Sequence, residues 1–478
     1  MAPIIDFLNA ILWDYVLVYG LLAVGVFFTF RLGFLQFVRF GEMIRAVRGT
    51  RESDRAGISP FQALTISLAS RVGTGNLAGV AVALYLGGPG AIFWMWMVAL
   101  VGMATAYAES TLAQLYKVRN ADGDYRGGPA FYIARGLGAP WAGGIFSVCL
   151  ILSFGLVFNA VQANSIADAM AGAFGVSNLV VGIVVAALSG IVIFGGIRQI
   201  ARVAGVVVPF MAVAYLLVAL YVLIVNITAV PGIIGLILSN AFGFTEAAGG
   251  VTGGVTAAML NGVKRGLFSN EAGMGSAPNI AAAATPDPHH PCSQGFVQAL
   301  GVFIDTILIC TATAVMILLS GTLDYGSGVT GTQLTQEALS IHIGAAGRYF
   351  VAIAIFFFAF TSIIGNYSYA ESAMAFLGAG SRLPLAILRI TVMAMVIWGA
   401  HESVATVFNT ADASMGLMAT INLIAILMLS DNVVKLTRDY FDQKRKGLVP
   451  TFHADAYPEL SGQIDEEIWS EGGAEAAR

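Results

Sequence analysis

Two stretches of this 478-residue chain put polar and charged groups where apolar runs would otherwise continue. The first reads Leu68-Ala69-Ser70-Arg71-Val72-Gly73-Thr74-Gly75-Asn76-Leu77-Ala78-Gly79. The second reads Asn261-Gly262-Val263-Lys264-Arg265-Gly266-Leu267-Phe268-Ser269-Asn270-Glu271-Ala272-Gly273-Met274-Gly275-Ser276, between the apolar runs 251–260 and 277–284. A helix interrupted at such a place leaves free N–H groups and a positive dipole end on one side, and free carbonyls on the other. The first side suits an anion and the second an ammonium or a hard cation. Glycine lets the backbone come close to whatever is bound. A kink, or for 261–276 a loop joining two shorter pieces, is the plainer alternative.

The elements carrying these stretches are membrane spans. Hydrophobic residues make up 57% of the chain and charged residues 11%, against about 25% charged in an ordinary soluble domain. The 56 glycines fit closely packed membrane helices. About eleven apolar spans are predicted, near 11–30, 61–86, 90–115, 142–166, 178–196, 204–226, 251–283, 294–320, 348–376, 384–400 and 405–430. The short apolar piece 231–242 reads as re-entrant or interfacial. Met1 to Ala10 contains Asp6 and no basic residue, so 11–30 is expected to be a retained helix and not a cleaved signal.

Arginine and lysine orient the spans. They gather in alternate loops, at Arg31, Arg39, Arg45, Arg48, Arg51 and Arg55, then Lys117, Arg119, Arg126 and Arg135, then Arg198 and Arg202, Arg382, and Lys435 to Lys446; the other loops hold essentially Arg348. The N-terminus is therefore expected outside and the C-terminus in the cytoplasm. Setting the first span aside, the second and seventh each open a block of five, and an odd number inverts the second block. Repeats are expected at about 60–226 and 245–430, within one transmembrane domain 1–430 followed by a cytoplasmic tail 431–478. Interrupted helices at matching places in inverted halves point to a solute site at mid-membrane.

At these residues the chain resembles a known family, the alanine or glycine:cation symporters. Val72-Gly73-Thr74-Gly75-Asn76-Leu77-Ala78-Gly79-Val80-Ala81 with Gly87-Gly88-Pro89-Gly90-Ala91 is similar to one signature, and Lys264 through Ala277 to a second; Gly127-Gly128-Pro129 and Phe303-Ile304-Asp305-Thr306 add to it. The likeness covers roughly residues 60–430. It implies the leucine-transporter fold with an extra N-terminal helix, and sodium- or proton-driven uptake of alanine and glycine; alternating access is expected, and the helical spans point to a bacterial inner (plasma) membrane, since outer-membrane proteins are barrels.

The resemblance also implies the site. Gly73, Thr74 and Gly75, with Asn76, would meet the substrate carboxylate. Phe268 and Ser269 would close over its methyl and ammonium groups, and Gln162 would face the pocket, with Asn164 nearby. Asn366 stands where some members of the family carry tryptophan, which implies a smaller and more polar gate. For Na⁺, the hydroxyls of Thr361 and Ser362 would join the carbonyls of Ala69 and Val72. Hydroxyls that merely bond back to their own helix are the alternative.

Other polar residues remain open at this level. Arg71 could pair with Glu271 or Asp305 or lie toward the inner vestibule, and Asp305 could serve a cation, the Lys264–Arg265 pair, or helix packing alone. Glu109, Glu371 and Arg389 read as structural. His289 and His290 have no partner at metal-ligand spacing. Cys149, Cys292 and Cys310 are scattered and read as small buried residues. The tail reads as an amphipathic basic helix to Lys446 followed by a disordered acidic end with Asp465, Glu466, Glu467, Glu471 and Glu475. No cofactor beyond Na⁺, no nucleic-acid partner and no enzyme signature is expected. The rival readings are a proton-coupled transporter of another small solute, titrating at Asp305 or Glu271, and an ion channel, against which the two dissimilar broken helices count.

Overall fold

The computed structural model describes residues 2–47, 53–54, 56–120, 123–243 and 252–470. Arg48, Arg51, Arg55, the predicted start of the second repeat at 245–251, and Glu471 and Glu475 lie outside them. The architecture is all-helical and polytopic. Among the described residues, eight helices are long and apolar enough to cross a membrane: α1 (Ile5–Arg31), α3 (Gly90–Leu115), α4 (Pro140–Phe174), α6 (Gly196–Val225), α8 (Cys292–Ser320), α9 (Ala346–Phe376), α10 (Arg382–His401) and α11 (Val404–Met428). The shorter α5 (Asn178–Ile193) and two broken helices, α2 and α7, complete the expected eleven. Side chains such as Ile191, Phe210 and Ile390 point outward while the polar groups turn inward. That inversion of the usual soluble pattern is what a hydrocarbon solvent selects.

Each broken helix has a local cause. α2a (Pro60–Arg71) starts on a capping box, with Ser59 Oγ accepting from Gln62 N at 3.2 Å and Gln62 Oε1 accepting from Ser59 N at 3.0 Å. It ends where Val72 leaves helical geometry at ψ 88°, and α2b (Gly75–Gly87) begins with a π-helical turn over Gly75–Gly79. α7a (Thr252–Asn270) ends at Glu271, a non-glycine residue at φ 58°, followed by Gly273 at 89° and Gly275 at 81°. The left-handed region costs a side chain energy and glycine almost none. Pro278, free of an N–H, opens α7b (Pro278–Ala283).

The second interruption therefore lies at 271–277, later than the sequence suggested. Lys264, Arg265, Phe268 and Ser269 belong to the last turns of an intact helix. Their polarity marks a helix face turned to partners and not a loss of helix.

α7a packs beside α2b, and α7b beside α2a. The two broken helices thus run antiparallel, as an inverted repeat requires. Their ends on the basic face are tied by backbone bonds, from Ile58 N to Ala283 O at 3.1 Å and from Thr285 N to Ile58 O at 2.9 Å. α9 leans on α2a, and α4 packs on α9 and α10.

The tail departs from expectation. The amphipathic helix α12 (Ser430–Arg445) buries Val433, Leu436 and Tyr440, but the chain beyond it also packs. Phe452 N donates to His289 O at 2.9 Å, Ala454 N to Trp469 O at 3.0 Å, and the buried Trp469 donates through Nε1 to Leu115 O at 3.2 Å. Phe452, Leu460, Ile464, Ile468 and Trp469 form a small core whose spacing an acidic composition hides. The helix Gly331–Ile343 was also not legible in sequence, whereas the short apolar piece forms the helix Val230–Ala241.

Candidate functional site

The break in α2 is surrounded on every side. Thr74 N donates to Gln162 Oε1 of α4 at 3.0 Å, and Gly73 N to Asn76 Oδ1 at 3.0 Å. Asn76 therefore bridges its own break. It also donates through Nδ2 to Asp305 Oδ1 at 2.7 Å. The other oxygen of Asp305 accepts from Ser269 Oγ at 2.8 Å and Thr306 Oγ1 at 2.7 Å. Asp305 and Thr306 sit on a π-helical stretch of α8, Phe303–Cys310; such wide turns re-aim side chains. Asp305 thus faces Asn76 and Ser269, not the Lys264–Arg265 pair. Thr74 Oγ1 is buried without a protein partner.

A side chain would clash at Gly73 and crowd its neighbours at Gly75. A methyl on Gly73 would stand 2.4 Å from Ser362 Oγ and 2.6 Å from Gln162 Oε1. On Gly75 it would meet Ser269 Cα at 3.1 Å and the Phe268 ring at 3.2 Å. Phe268 stacks on Phe158 of α4, with centroids 4.7 Å apart, and on Phe408 of α11 at 5.5 Å. These three rings form a layer over the break. The Arg265 guanidinium lies 5.4 Å from both the Phe268 and Phe408 rings.

On the α9 side, Ser362 Oγ lies 2.8 Å from Ala69 O and 3.0 Å from Phe358 O, while Thr361 Oγ1 donates to Phe358 O at 2.9 Å. Thr361 thus bonds back to its own helix, and Ser362 reaches across to the frayed end of α2a as well. A turn further along, Asn366 Oδ1 is 2.5 Å from Ser70 Oγ, and its Nδ2 donates to Asn159 Oδ1 at 3.0 Å. Ser70 Oγ also lies 2.8 Å from Glu271 Oε1. Ser276 Oγ donates to Glu271 Oε2 at 2.5 Å, so the left-handed Glu271 joins the two breaks through hydroxyls.

Charges pair differently from the sequence alternatives. Among the described residues Arg71 makes no ion pair with Glu271 or Asp305; its Nη1 donates to Gln298 O at 3.2 Å, and its Nε and Nη2 are buried without partners. Lys264 and Arg265 both meet Asp412 of α11, at 2.9 and 2.5 Å. Asp412 was detectable as a lone acid within an apolar span. Glu109 of α3 accepts from Gly273 N at 3.2 Å and Asn422 Nδ2 at 2.8 Å, bracing the second break. Phe158, Phe408 and Asn159 carry no sequence signal, because apolar rings and single amides are common in spans. Arg126 pairs with Glu371 at 3.1 Å, and Arg389 donates to the Tyr367 hydroxyl at 2.8 Å, so these are structural contacts as expected.

A family model described as the sodium:alanine symporter family matches residues 1–454. The chain belongs to that family. The amino-acid carrier protein AlsT of Bacillus subtilis is 51% identical over 97% of both chains. The probable sodium/glutamine symporter GlnT of the same organism is 48% identical over 96% of this chain and 95% of its own. Among solved structures, MhsT in complex with L-phenylalanine superposes with a TM-score of 0.55 at 14% identity, over 81% of this chain and 99% of that one. This likeness establishes the leucine-transporter fold. As a member of the sodium:alanine symporter family the protein is a membrane transporter and not an enzyme.

Proposed function

We propose that this chain is a sodium-driven symporter of small neutral amino acids, alanine and glycine foremost, working by alternating access. The observation that carries the reading is the contact between Ser362 Oγ and Ala69 O at 2.8 Å, which ties α9 to the break in α2. A hydroxyl has one proton, yet Ser362 Oγ faces two carbonyl oxygens. Such a cluster of oxygens suits a hard cation, with Ala69 and Val72 supplying carbonyls and Thr361 and Ser362 hydroxyls. Na⁺ held there would clamp the break and preorganise Gly73 to Gly75 for a carboxylate. In this reading Gln162 Oε1 takes the place of a substrate oxygen on Thr74 N. Asn76 is the brace of the break, Phe268 the roof of the pocket, Ser269 a partner for the ammonium, and Asn366 the floor that sets size.

Coupling follows from reciprocity: if Na⁺ raises the affinity for alanine, alanine raises that for Na⁺ by the same factor. The alternate-loop distribution of arginine and lysine supports a bacterial inner membrane with the N-terminus outside and the tail cytoplasmic. The relative named as a glutamine symporter favours a second reading in which a larger neutral amino acid is the main substrate. Liposomes carrying the protein, labelled alanine, and imposed Na⁺ or H⁺ gradients test the proposal. Accumulation above equilibrium that needs Na⁺, falls with Ser362→Ala and is competed best by alanine and glycine is the expected result. Accumulation driven by H⁺ alone, passive flux, or stronger competition by glutamine would each overturn a stated part.

A further inference from the structure

On the basic face, two distant pieces of the chain enclose a groove that the central site does not touch. It measures about 290 Å³ and lies between the end of α1, with the turn that follows it, and the amphipathic α12. Four arginines line it, Arg31 and Arg39 from one wall and Arg438 and Arg445 from the other, against a single lining acid, Asp442. Arg31 pairs with Asp431 at 2.5 Å, and Arg445 with Asp442. Among the described residues Arg39 and Arg438 have no carboxylate partner. The Arg39 guanidinium lies 4.3 Å from the centre of the Phe441 ring, a contact that uses none of its N–H donors. The two walls are held together where Lys444 of α12 meets Glu42, on the short helix Phe40–Arg45, at 2.5 Å.

Charge asymmetry across a membrane accounts for arginines on this face. It does not account for their convergence on one groove with two guanidinium groups left over. An anion with several oxygens satisfies both, because the guanidinium fork matches phosphate geometry. The border of the groove selects among anions. Phe30, Phe34, Phe37 and Val38, neighbours of the lining arginines in the chain, are exposed, and the Phe30 and Phe34 rings meet edge to face with centroids 5.0 Å apart. Aromatic side chains left outside the protein at the end of a spanning helix sit at the headgroup boundary of a bilayer. A water's share of volume is about 30 Å³, so the groove takes a headgroup of about ten heavy atoms. We propose that it binds an anionic phospholipid, with the phosphodiester held by Arg39 and Arg438 and the acyl chains lying along Phe30 and Phe34. The lipid staples α12 to the end of α1, whatever solute the protein carries.

The full chain in dodecyl maltoside micelles, titrated with phosphatidylglycerol, tests this through its thermal unfolding midpoint. A saturable rise is expected, with none from phosphatidylcholine and none from inorganic phosphate or glycerol phosphate at the same concentration. Each arginine near a lipid surface contributes a factor of about five. Arg39→Gln with Arg438→Gln should therefore raise the half-saturating concentration about tenfold to thirtyfold. Arg202→Gln with Arg382→Gln removes two exposed arginines elsewhere on the basic face and should leave that concentration unchanged. Arg438→Gln alone, expected to weaken binding about fivefold, keeps the test readable if the double variant folds poorly. The site is overturned if phosphatidylglycerol gives no rise, if phosphatidylcholine raises the midpoint as much, if free phosphate does so, or if the two double variants weaken binding equally. Those outcomes mean, in order, no binding, a general lipid effect, an anion site without a lipid, and diffuse surface charge.

Discussion

Arg265 places one guanidinium nitrogen 2.6 and 2.5 Å from the two carboxylate oxygens of Asp412, joining α7a to α11 directly above the aromatic layer. Lys264 reaches the same carboxylate at 2.9 Å, so one acid answers two cations. Removing one partner of a buried pair leaves charge without compensation, which costs about 3–5 kcal/mol. Asp412→Asn is therefore expected to lower the unfolding midpoint in detergent by several degrees, and Asp412→Asn with Arg265→Gln to recover much of the loss. A midpoint unchanged by the single substitution would show the pair to be slack.

The two glycines of the first break should respond unequally. A methyl at Gly73 collides with Ser362 and Gln162 at 2.4 and 2.6 Å, whereas at Gly75 the nearest atom is 3.1 Å away. Overpacking costs about 1–3 kcal/mol, and at Gly73 it falls on Ser362 and Gln162, the proposed cation and substrate contacts, together. Gly73→Ala should reduce sodium-dependent uptake about tenfold to a hundredfold, and Gly75→Ala by less. Initial rates normalised to protein in the membrane decide between this order and the reverse.

Asn366 fills its place by bonding Ser70 and Asn159. Asn366→Ala opens a void there and strands both partners. Larger neutral amino acids should then compete with alanine about tenfold better relative to the parent, the scale that a pocket's size commonly supports. Competition curves for glutamine against labelled alanine read this directly, and an unchanged ratio would remove Asn366 from the proposed gate.

The packed tail should loosen in mild acid. His289, on the loop after α7b, lies tilted against Trp469 with ring centroids 5.0 Å apart and holds Ile468 O at 3.1 Å. Burial, helped by the nearby Lys117 ammonium, pushes its imidazole down from 6.5 to about 4. Burial lowers His290 as well, with Asp439 opposing the shift. Their neutral forms are favoured when folded, so this stability is complete above about pH 6.5 and is lost as pH falls toward 4. Lys117, pushed down to about 7, is already protonated across that window. For His289 the loss reaches about 2 kcal/mol by pH 5. Protease cleavage within 447–470 should accelerate between pH 7.5 and 5, and His289→Gln should flatten the dependence.

The sequence by itself determined the solvent. Long apolar runs, scarce charge and loop arginines gathered mostly in alternate loops point to no other environment, because an unpaired charge or open backbone in hydrocarbon is too costly. The place where Val72 to Gly75 breaks its helix was legible for the same reason, since glycine and charge at mid-span must face partners, whereas the second break, read over 261–276, begins only at Glu271. Which partners was not legible. That Asp305 serves Asn76 and Ser269 while Asp412 answers Lys264 and Arg265 depends on how antiparallel helices turn about their axes. A one-residue rotation moves a side chain by about 100°, and no local propensity fixes it. Whereas the nearness of Ser362 to Ala69 came from family resemblance and not from spacing, the Phe158–Phe268–Phe408 layer and the tail core around Trp469 were likewise decided only in tertiary structure. There, packing brings together residues that composition and spacing leave indistinguishable from any other part of a span.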